Sequence, residues 1–472
     1  MKHKIVSPTV LFALSAIFFP LAAAETGKPN VVFIFIDDMG YGDIGPFGST
    51  KNKTPNLDRM AAEGMKLTDF YVSATACTPS RAALMTGCYA DRISMDGRVC
   101  FPGEARGLNP EETTIAEMLK AQGYATGCFG KWHLGDMPQL MPLNHGFDEY
   151  EGIPYSNDMW VHLQKRDFPP LPWMKQDKAV AHIPDAPSQA LLIDAITNAT
   201  VDFIKRKKDE AFFVYMPHAA VHLPRLVKKE EGDRADGDAT RAQVEAVDAS
   251  VGRVLETLRE LGIAENTLVF FTSDNGPAAG LSPAPLRGGK GGPRYEGNMR
   301  MPTLAWWPGK IPAGSVCSEI GRSIDIFPTL AKLCGGEVPT DRIIDGKDIS
   351  SLLTNPDAKS PHSELYYEYE GIRQGNWKLV KIRKASRLFD LATDIGEQTD
   401  IAAKHPEKVA ELEKLLVEHK AKVTSARRPA GAVANAKPIL TEPGDLPSLA
   451  EYMGEANLKT VGTIYKTPPK KK

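Results

Sequence analysis

The sequence predicts an α/β protein: a large mixed or mainly parallel sheet flanked by helices, followed by a smaller C-terminal α+β unit with an antiparallel sheet. Three observations carry this. Val31-Val32-Phe33-Ile34-Phe35-Ile36 and Thr267-Leu268-Val269-Phe270-Phe271-Thr272-Ser273 are unbroken apolar-centred runs without polar alternation, the pattern of strands buried on both faces. Val244, Val247, Val251, Val254, Leu258 and Leu261 recur at three- and four-residue spacing and mark an amphipathic helix. Strands alternating with helices build a doubly wound α/β layer structure. Beyond about residue 345 the texture shifts to short strand-like pieces before a helical stretch.

Taken in chain order, residues 1–24 read as a secretory signal peptide. Met1-Lys2-His3-Lys4 is basic, an apolar stretch runs from Val10 to Leu21, and Ala22-Ala23-Ala24 offers a small-residue exit. Pro20 and Ser7-Pro8 leave the run shorter than the ~20 residues of a membrane span. No later stretch is long and apolar enough to cross a bilayer, so the expectation is an exported protein, periplasmic or extracellular (lysosomal-like in a eukaryote), with no stable membrane insertion. Residues 25–345 form the main domain. Its helix after Thr54-Pro55 starts on a capping residue and a first-turn proline and stops at Gly64. Further strands are expected at 124–129 and 211–216. Residues 346–425 form the small domain, with strands near 364–369 and 377–382 and a helix over 406–422. Residues 426–472, rich in Pro, Ala, Gly and Lys, form an extended or wrapping tail. A chain of 472 residues with 42% hydrophobic residues can bury a large core, and 57 basic against 59 acidic residues exclude a strongly basic nucleic-acid binder. The six cysteines resemble three disulfides at first count.

The chemistry gathers at strand ends. Asp37-Asp38 follows the first apolar run and Asp274-Asn275 the second. In open parallel sheets ligands bind outside the carboxyl ends of strands, so both pairs face one crevice. Asp-Asn-Gly alone is ordinary turn chemistry. Two acidic clusters at matching strand ends make an oxygen cage instead, suited to Ca2+ or Mg2+ and not to zinc. Cys77-Thr78-Pro79-Ser80-Arg81 puts a cysteine at a helix N-terminus with an arginine one turn on. A lone cysteine there is either a buried structural residue or a nucleophile. Lys131 and His133 lie two apart, which strand alternation puts on one face. Residues 212–224 carry His218 and His222, and Lys290 sits among glycines in Gly288-Gly289-Lys290-Gly291-Gly292.

On these residues the chain resembles the formylglycine-dependent (type I) sulfatases. Cys77-x-Pro-Ser-Arg81 is similar to that family's signature for the cysteine to be oxidised. Asp37-Asp38-Met39-Gly40-Tyr41-Gly42-Asp43, Thr54-Pro55-Asn56-Leu57-Asp58 and Gly130-Lys131-Trp132-His133-Leu134-Gly135 match its neighbouring motifs. The resemblance covers about residues 29–400 and favours the branch with arylsulfatase A and N-acetylgalactosamine-6-sulfatase. It implies an alkaline-phosphatase-like fold and hydrolysis of sulfate monoesters. The substrate implied is a sulfated carbohydrate, such as a 6-sulfated N-acetylhexosamine or galactose unit, and also aryl sulfates. Two cofactors are implied: Ca2+ on Asp37, Asp38, Asp274, Asn275 and the modified Cys77, and 3-oxoalanine (formylglycine), formed from Cys77 by a maturating enzyme. In the family one hydroxyl of the aldehyde hydrate attacks sulfur, and deprotonation of the other expels sulfate. Arg81 and Lys131 would clamp charge, His133 would take the second proton, and His222 or Lys290 would protonate the leaving oxygen. Lys131, Ser156, His222 and Lys290 would bind the sulfate; Ser156 is carried over from Gly152-Ile153-Pro154-Tyr155-Ser156.

Two departures stand out. Four residues separate Lys290 from Tyr295-Glu296-Gly297 where relatives have three, and Cys88 stands where an arginine is common. Trp160, Phe168 and Trp173 could stack on a sugar or pack their own loop. The sequons at Asn52 and Asn198 matter only in a glycosylating host. With Cys77 converted, Cys88, Cys100, Cys128, Cys317 and Cys334 cannot all pair, so the three-disulfide count fails. Two other classes compete: a phosphomonoester or phosphodiester hydrolase of the related metal-dependent superfamily, disfavoured because no histidine stands among the aspartates, and a non-catalytic sulfoglycan-binding relative.

Overall fold

A computed structural model of the protein describes residues 27–160, 168–355 and 357–463. The signal-peptide reading of residues 1–24 lies outside them, as do the last nine residues of the tail. Five parallel strands form the centre of a ten-stranded sheet. The opening strand, Asn30–Ile36, pairs in parallel with Thr267–Ser273 on one side and Phe212–Pro217 on the other. Phe212–Pro217 pairs with Ala125–Lys131, and that with Glu149–Ile153. Pro172–Lys175 and Lys178–His182 extend one edge in antiparallel fashion. Thr303–Trp306 and Met65–Leu67 do the same at the other, closed by Ser315–Cys317. These edge strands are three to five residues long, too short for a periodic signal, and the sequence reading does not include them.

The period of two along the opening strand explains why it is apolar throughout. Val32, Ile34 and Ile36 enter one core with the helices Leu192–Lys207 and Ala239–Glu260. Val31, Phe33 and Phe35 enter the other with Cys77–Thr86, Ile115–Ala121 and Ile326–Cys334. Each such side chain contributes about 1.5–3 kcal/mol by leaving water. Thr54 precedes the helix Pro55–Glu63 as expected, but its hydroxyl accepts from the Gly45 amide at 2.8 Å instead of capping.

In the C-terminal region Glu364–Tyr367, Gly371–Gln374, Trp377–Ile382 and Ala385–Asp390 form a four-stranded antiparallel sheet. The helix Pro406–Thr424 lays Leu412 and Leu416 on Ile372, Leu379 and Leu388. The opposite face meets the main body through buried charge. Lys378 Nζ bridges Glu296 and Glu397 at 2.9 Å each, and Arg300 and Arg373 reach Asp69 at 2.6 and 2.8 Å. Beyond residue 426 the chain runs back over the body. Gly431–Ala432 pairs with Arg106–Gly107, Leu449 and Ala450 enter the main core, and Thr460–Thr463 pairs with Arg225–Lys228. No helix among the described residues is long and apolar enough to cross a membrane.

Candidate active site

The crevice at the carboxyl ends of the parallel strands gathers the candidate site residues but not His218. Asp37 and Asp38 leave the opening strand, Asp274 and Asn275 leave Thr267–Ser273, and all four are essentially without solvent exposure. Cys77 opens its helix and puts Sγ 3.3 Å from Asp37 Oδ1. Gly130 allows Lys131 to come this close: at φ 134° any Cβ there would lie 1.9 Å from the Pro217 carbonyl oxygen.

The three carboxylates meet three cations. Arg81 donates from Nε and Nη2 to Asp274 Oδ2 at 3.1 and 2.8 Å, and its Nη2 is 3.5 Å from Asp37. Lys131 Nζ bonds Asp37 and, at 3.0 Å, Ser156 Oγ. Lys290 Nζ lies 2.7 Å from Asp38 and 3.3 Å from Cys77 Sγ, with a quarter of its side chain exposed. Beyond Lys290 the chain turns at Gly291, where φ is 66°, and the loop is tied by Lys290 N to Pro277 O and Gly291 N to Thr75 O. At Cys88, where an arginine is common, Arg428 in the tail donates to Sγ at 3.3 Å.

Burial works to raise the Asp37 pKa, but Lys131, His222 and Arg81 outweigh it and hold the carboxyl well below the usual range. Asp274 moves the other way, up to about 6, because burial and the Asp37 charge exceed the pull of Arg81. Burial and Asp37 push the Cys77 thiol well above its ordinary value against Lys131 and Lys290. Burial, then Lys131 and Arg81, hold His133 well below the ordinary imidazole range. Its Nε2 is 3.0 Å from the Cys100 carbonyl. A carbonyl only accepts, so Nε2 carries the hydrogen and the buried Nδ1, without a partner, is bare.

Two expectations need correction. The strand ends at Lys131 and His133 has φ 59°, so a turn, not strand alternation, presents the pair. Thr78 fixes that turn, donating to His133 O at 2.7 Å and accepting from Cys100 N. A histidine does stand among the aspartates: His222 Nε2 is 3.6 Å from Asp38 Oδ2, and its ring nitrogen, Cys77 Sγ and oxygens of Asp37 and Asp38 lie within 4.8 Å of one another. His218 instead faces Ser250 at 3.1 Å. Trp160 and Trp173 are buried in the main core, Trp173 on the edge strand Pro172–Lys175, whereas half-buried Phe168 stacks on Phe101. Asn52 is buried, its amide donating to Asp43 O, whereas Asn198 is exposed. All six cysteines are free thiols. The reading of the motifs missed Thr78 and Asp158, whose carboxyl burial works to raise but which His222 and a bond to Ser156 lower.

Comparison with known proteins gives one answer. The family model described as Sulfatase matches residues 29–336, and that described as N-sulphoglucosamine sulphohydrolase, C-terminal, matches 293–424. Arylsulfatase A of Homo sapiens is 37% identical over 416 residues, covering 82% of this chain and 80% of that protein. N-acetylgalactosamine-6-sulfatase of Sus scrofa is 40% identical over 369 residues, covering 72% and 68%. Among solved structures, Ps i-CgsB in complex with k-i-k-neocarrahexaose superposes with a TM-score of 0.75 at 30% identity, over 85% of this chain and 94% of that one. The PsFucS1 sulfatase from Pseudoalteromonas sp. gives 0.76 at 27% identity, over 85% and 91%.

Proposed function

Because the chain belongs to the sulfatase family, we propose that it hydrolyses sulfate monoesters of a saccharide, and of phenols as well, with a nucleophile derived from Cys77. The observation that carries this is the placement of Cys77 at a helix N-terminus between Asp37 and Lys290, with Arg81, Lys131 and His133 packed around it. An unmodified thiol here is a poor nucleophile, since burial and Asp37 keep it protonated. That favours conversion to formylglycine by a maturating enzyme. The aldehyde hydrate supplies two hydroxyls, one to attack and one to be deprotonated.

The donors fit a hard divalent cation. Asp37, Asp38 and Asp274 supply carboxylate oxygens, and buried Asn275 Oδ1 has no hydrogen-bond partner among the described residues. These four residues would hold Ca2+, which when bound screens sulfate oxygens and eases ionisation of the attacking hydroxyl. The bare Nδ1 of His133 takes a proton within the buried site. Arg81 and Lys131 hold negative charge in a fixed geometry, with Ser156 orienting the Lys131 ammonium. Lys290 and His222, the two partly exposed members, face the entering ester. His222 Nδ1 is 2.6 Å from the Leu223 carbonyl, so a protonated ring presents Nε2–H as the acid for the leaving oxygen.

Activity on saccharide sulfates is supported by the relatives named N-acetylgalactosamine-6-sulfatase and by the k-i-k-neocarrahexaose in complex with Ps i-CgsB. Residues 1–24 would export the chain. The His222–Asp38 approach is the one observation favouring a phosphate ester hydrolase instead, so the test includes both ester types. After expression with a maturating enzyme, the tryptic peptide ending at Arg81 should be lighter by the difference between CH2SH and CHO. The protein should then release sulfate from a monosaccharide 6-sulfate and from 4-nitrophenyl sulfate, lose activity on thorough chelation and regain it with Ca2+. An unmodified Cys77 in active protein, or faster turnover of the phosphate ester, overturns the reading.

A further inference from the structure

The segment that carries His222 leaves the strand Phe212–Pro217 and is pinned to the opening strand by Val221 N to Asp37 O at 2.8 Å. Three residues beyond His222, Arg225 turns its guanidinium back inward and is almost wholly buried. Nε donates to Val221 O at 2.9 Å, the carbonyl just before His222. Nη1 donates to Ala279 O at 2.7 Å and to Thr240 Oγ1 at 3.2 Å. Ala279 belongs to the loop whose Pro277 carbonyl accepts from the Lys290 amide. One buried side chain therefore ties together the two segments that present His222 and Lys290. No carboxylate among the described residues forms an ion pair with Arg225; Asp38, Asp43 and Asp238 act on its charge from a distance, and its direct partners are those neutral oxygens, an arrangement that holds both loops in register with it.

The backbone of Arg225 is held from outside by the end of the chain. Arg225–Lys228 has Thr460–Thr463 as its sheet partner, extended by Lys229 N to Lys459 O at 2.8 Å. Gly462 approaches Arg225 so closely, at φ 147°, that any Cβ would lie 2.1 Å from the Arg225 carbonyl oxygen. Val461 packs on the small apolar cluster of Val227, Ala235, Ala239 and Ala242.

We propose that Arg225, clamped by the strand Thr460–Thr463, is a positioning residue that sets His222 and the Lys290 loop for protonation of the leaving oxygen, so that the C-terminal tail is part of the active-site assembly. This rests on the reading of His222 as the leaving-group acid. A misplaced acid penalises esters of alcohols, which leave poorly as alkoxides, far more than esters of nitrophenol. The experiment compares full-length, matured wild type with Arg225→Met, Arg225→Lys, Gly462→Val and His222→Gln on a monosaccharide 6-sulfate and on 4-nitrophenyl sulfate. Arg225→Met should lower kcat on the sugar sulfate about 10–100-fold with little change in KM, and on the aryl sulfate less than about 3-fold. Arg225→Lys should recover part of the loss. Gly462→Val, outside the core, should show the same selectivity at about 3–10-fold, which keeps the test open if Arg225→Met does not fold. If His222→Gln slows both esters equally, the acid reading of His222 fails and this inference falls with it. If His222→Gln discriminates between the esters and the Arg225 and Gly462 variants do not, the positioning role alone is overturned.

Discussion

Two buried clusters in this molecule hold the same charges and do opposite things. In the crevice Asp37, Asp38 and Asp274 face Arg81, Lys131 and Lys290. Under the C-terminal sheet Asp69, Glu296 and Glu397 face Arg300, Arg373 and Lys378. The second cluster is close to saturated: Glu397 Oε1 accepts no hydrogen bond among the described residues, but the Lys378 ammonium lies 2.9 Å from it. Glu296 also accepts from Tyr71 and Tyr367 hydroxyls at 2.6 and 2.5 Å, and the Glu397 carboxylate takes the Glu296 amide. The crevice is less saturated: among the described residues Asn275 Oδ1 and His133 Nδ1 have no partner, the thiol of Cys77 sits between a carboxylate and an ammonium, and Asp38 and His133 hold left-handed backbone. Pairing of charge is common to both. What separates a binding site from a fastening is the valence left open after pairing.

That distinction can be broken by experiment. The largest effect is expected at Cys77. Cys77→Ala should reduce sulfate release more than about 10^4-fold while leaving the melting temperature within a few degrees, measured on one preparation by sulfate assay and calorimetry. A comparable loss of stability would mean that the crevice is a fastening too. Lys378→Met should do the reverse, leaving Glu296 and Glu397 buried beside each other. It should cost about 3–5 kcal/mol in denaturant unfolding, with kcat per folded molecule changed far less. The smallest effect sharpens the picture through pH. Burial, only partly offset by Lys378, and the neighbouring Glu296 raise Glu397 from 4.5 to about 7. A carboxyl raised on folding stabilises while protonated, so its contribution is complete below about pH 4.5 and is lost as pH rises through 7. Glu397→Gln should therefore gain on the wild type by on the order of 1–3 kcal/mol between pH 5 and pH 8. A pH-independent difference would place the charge imbalance elsewhere.

The crevice was the more legible of the two clusters in the sequence, and for a physical reason. Its carboxylates end long, doubly buried strands, where a continuous apolar run announces the strand and the first polar residues after it must face the crevice. Cys77 and Arg81 lie within one helical turn, so one local motif carries both. The fastening cluster has no such signal. Asp69 and Arg373 are separated by 304 positions, and each looks like an ordinary surface charge until the two sheets are brought together. His222 lies between these extremes. Its place in the chain was readable, but its approach to Asp38 follows from the path of 218–224 and from Arg225 behind it, and no spacing rule encodes either. Edge strands of three to five residues were lost because two or three alternations cannot be told from chance.

The burial of Cys77, 1% exposed, also sets a clock. On the proposed conversion of Cys77, the oxidising enzyme would have to reach the thiol before the crevice closes, and closure needs Asp274, which Arg81 grips from 193 positions away. At about 5–20 residues per second of synthesis, Asp274 emerges roughly 10–40 s after Cys77. During that interval the parallel pairing of Asn30–Ile36 with Thr267–Ser273 does not yet exist, and the motif lies on a nascent chain. Under the proposed conversion, the sequence distance between the two halves of the site would be a time allowance for maturation, and shortening it by circular permutation should lower the fraction of molecules that carry the aldehyde.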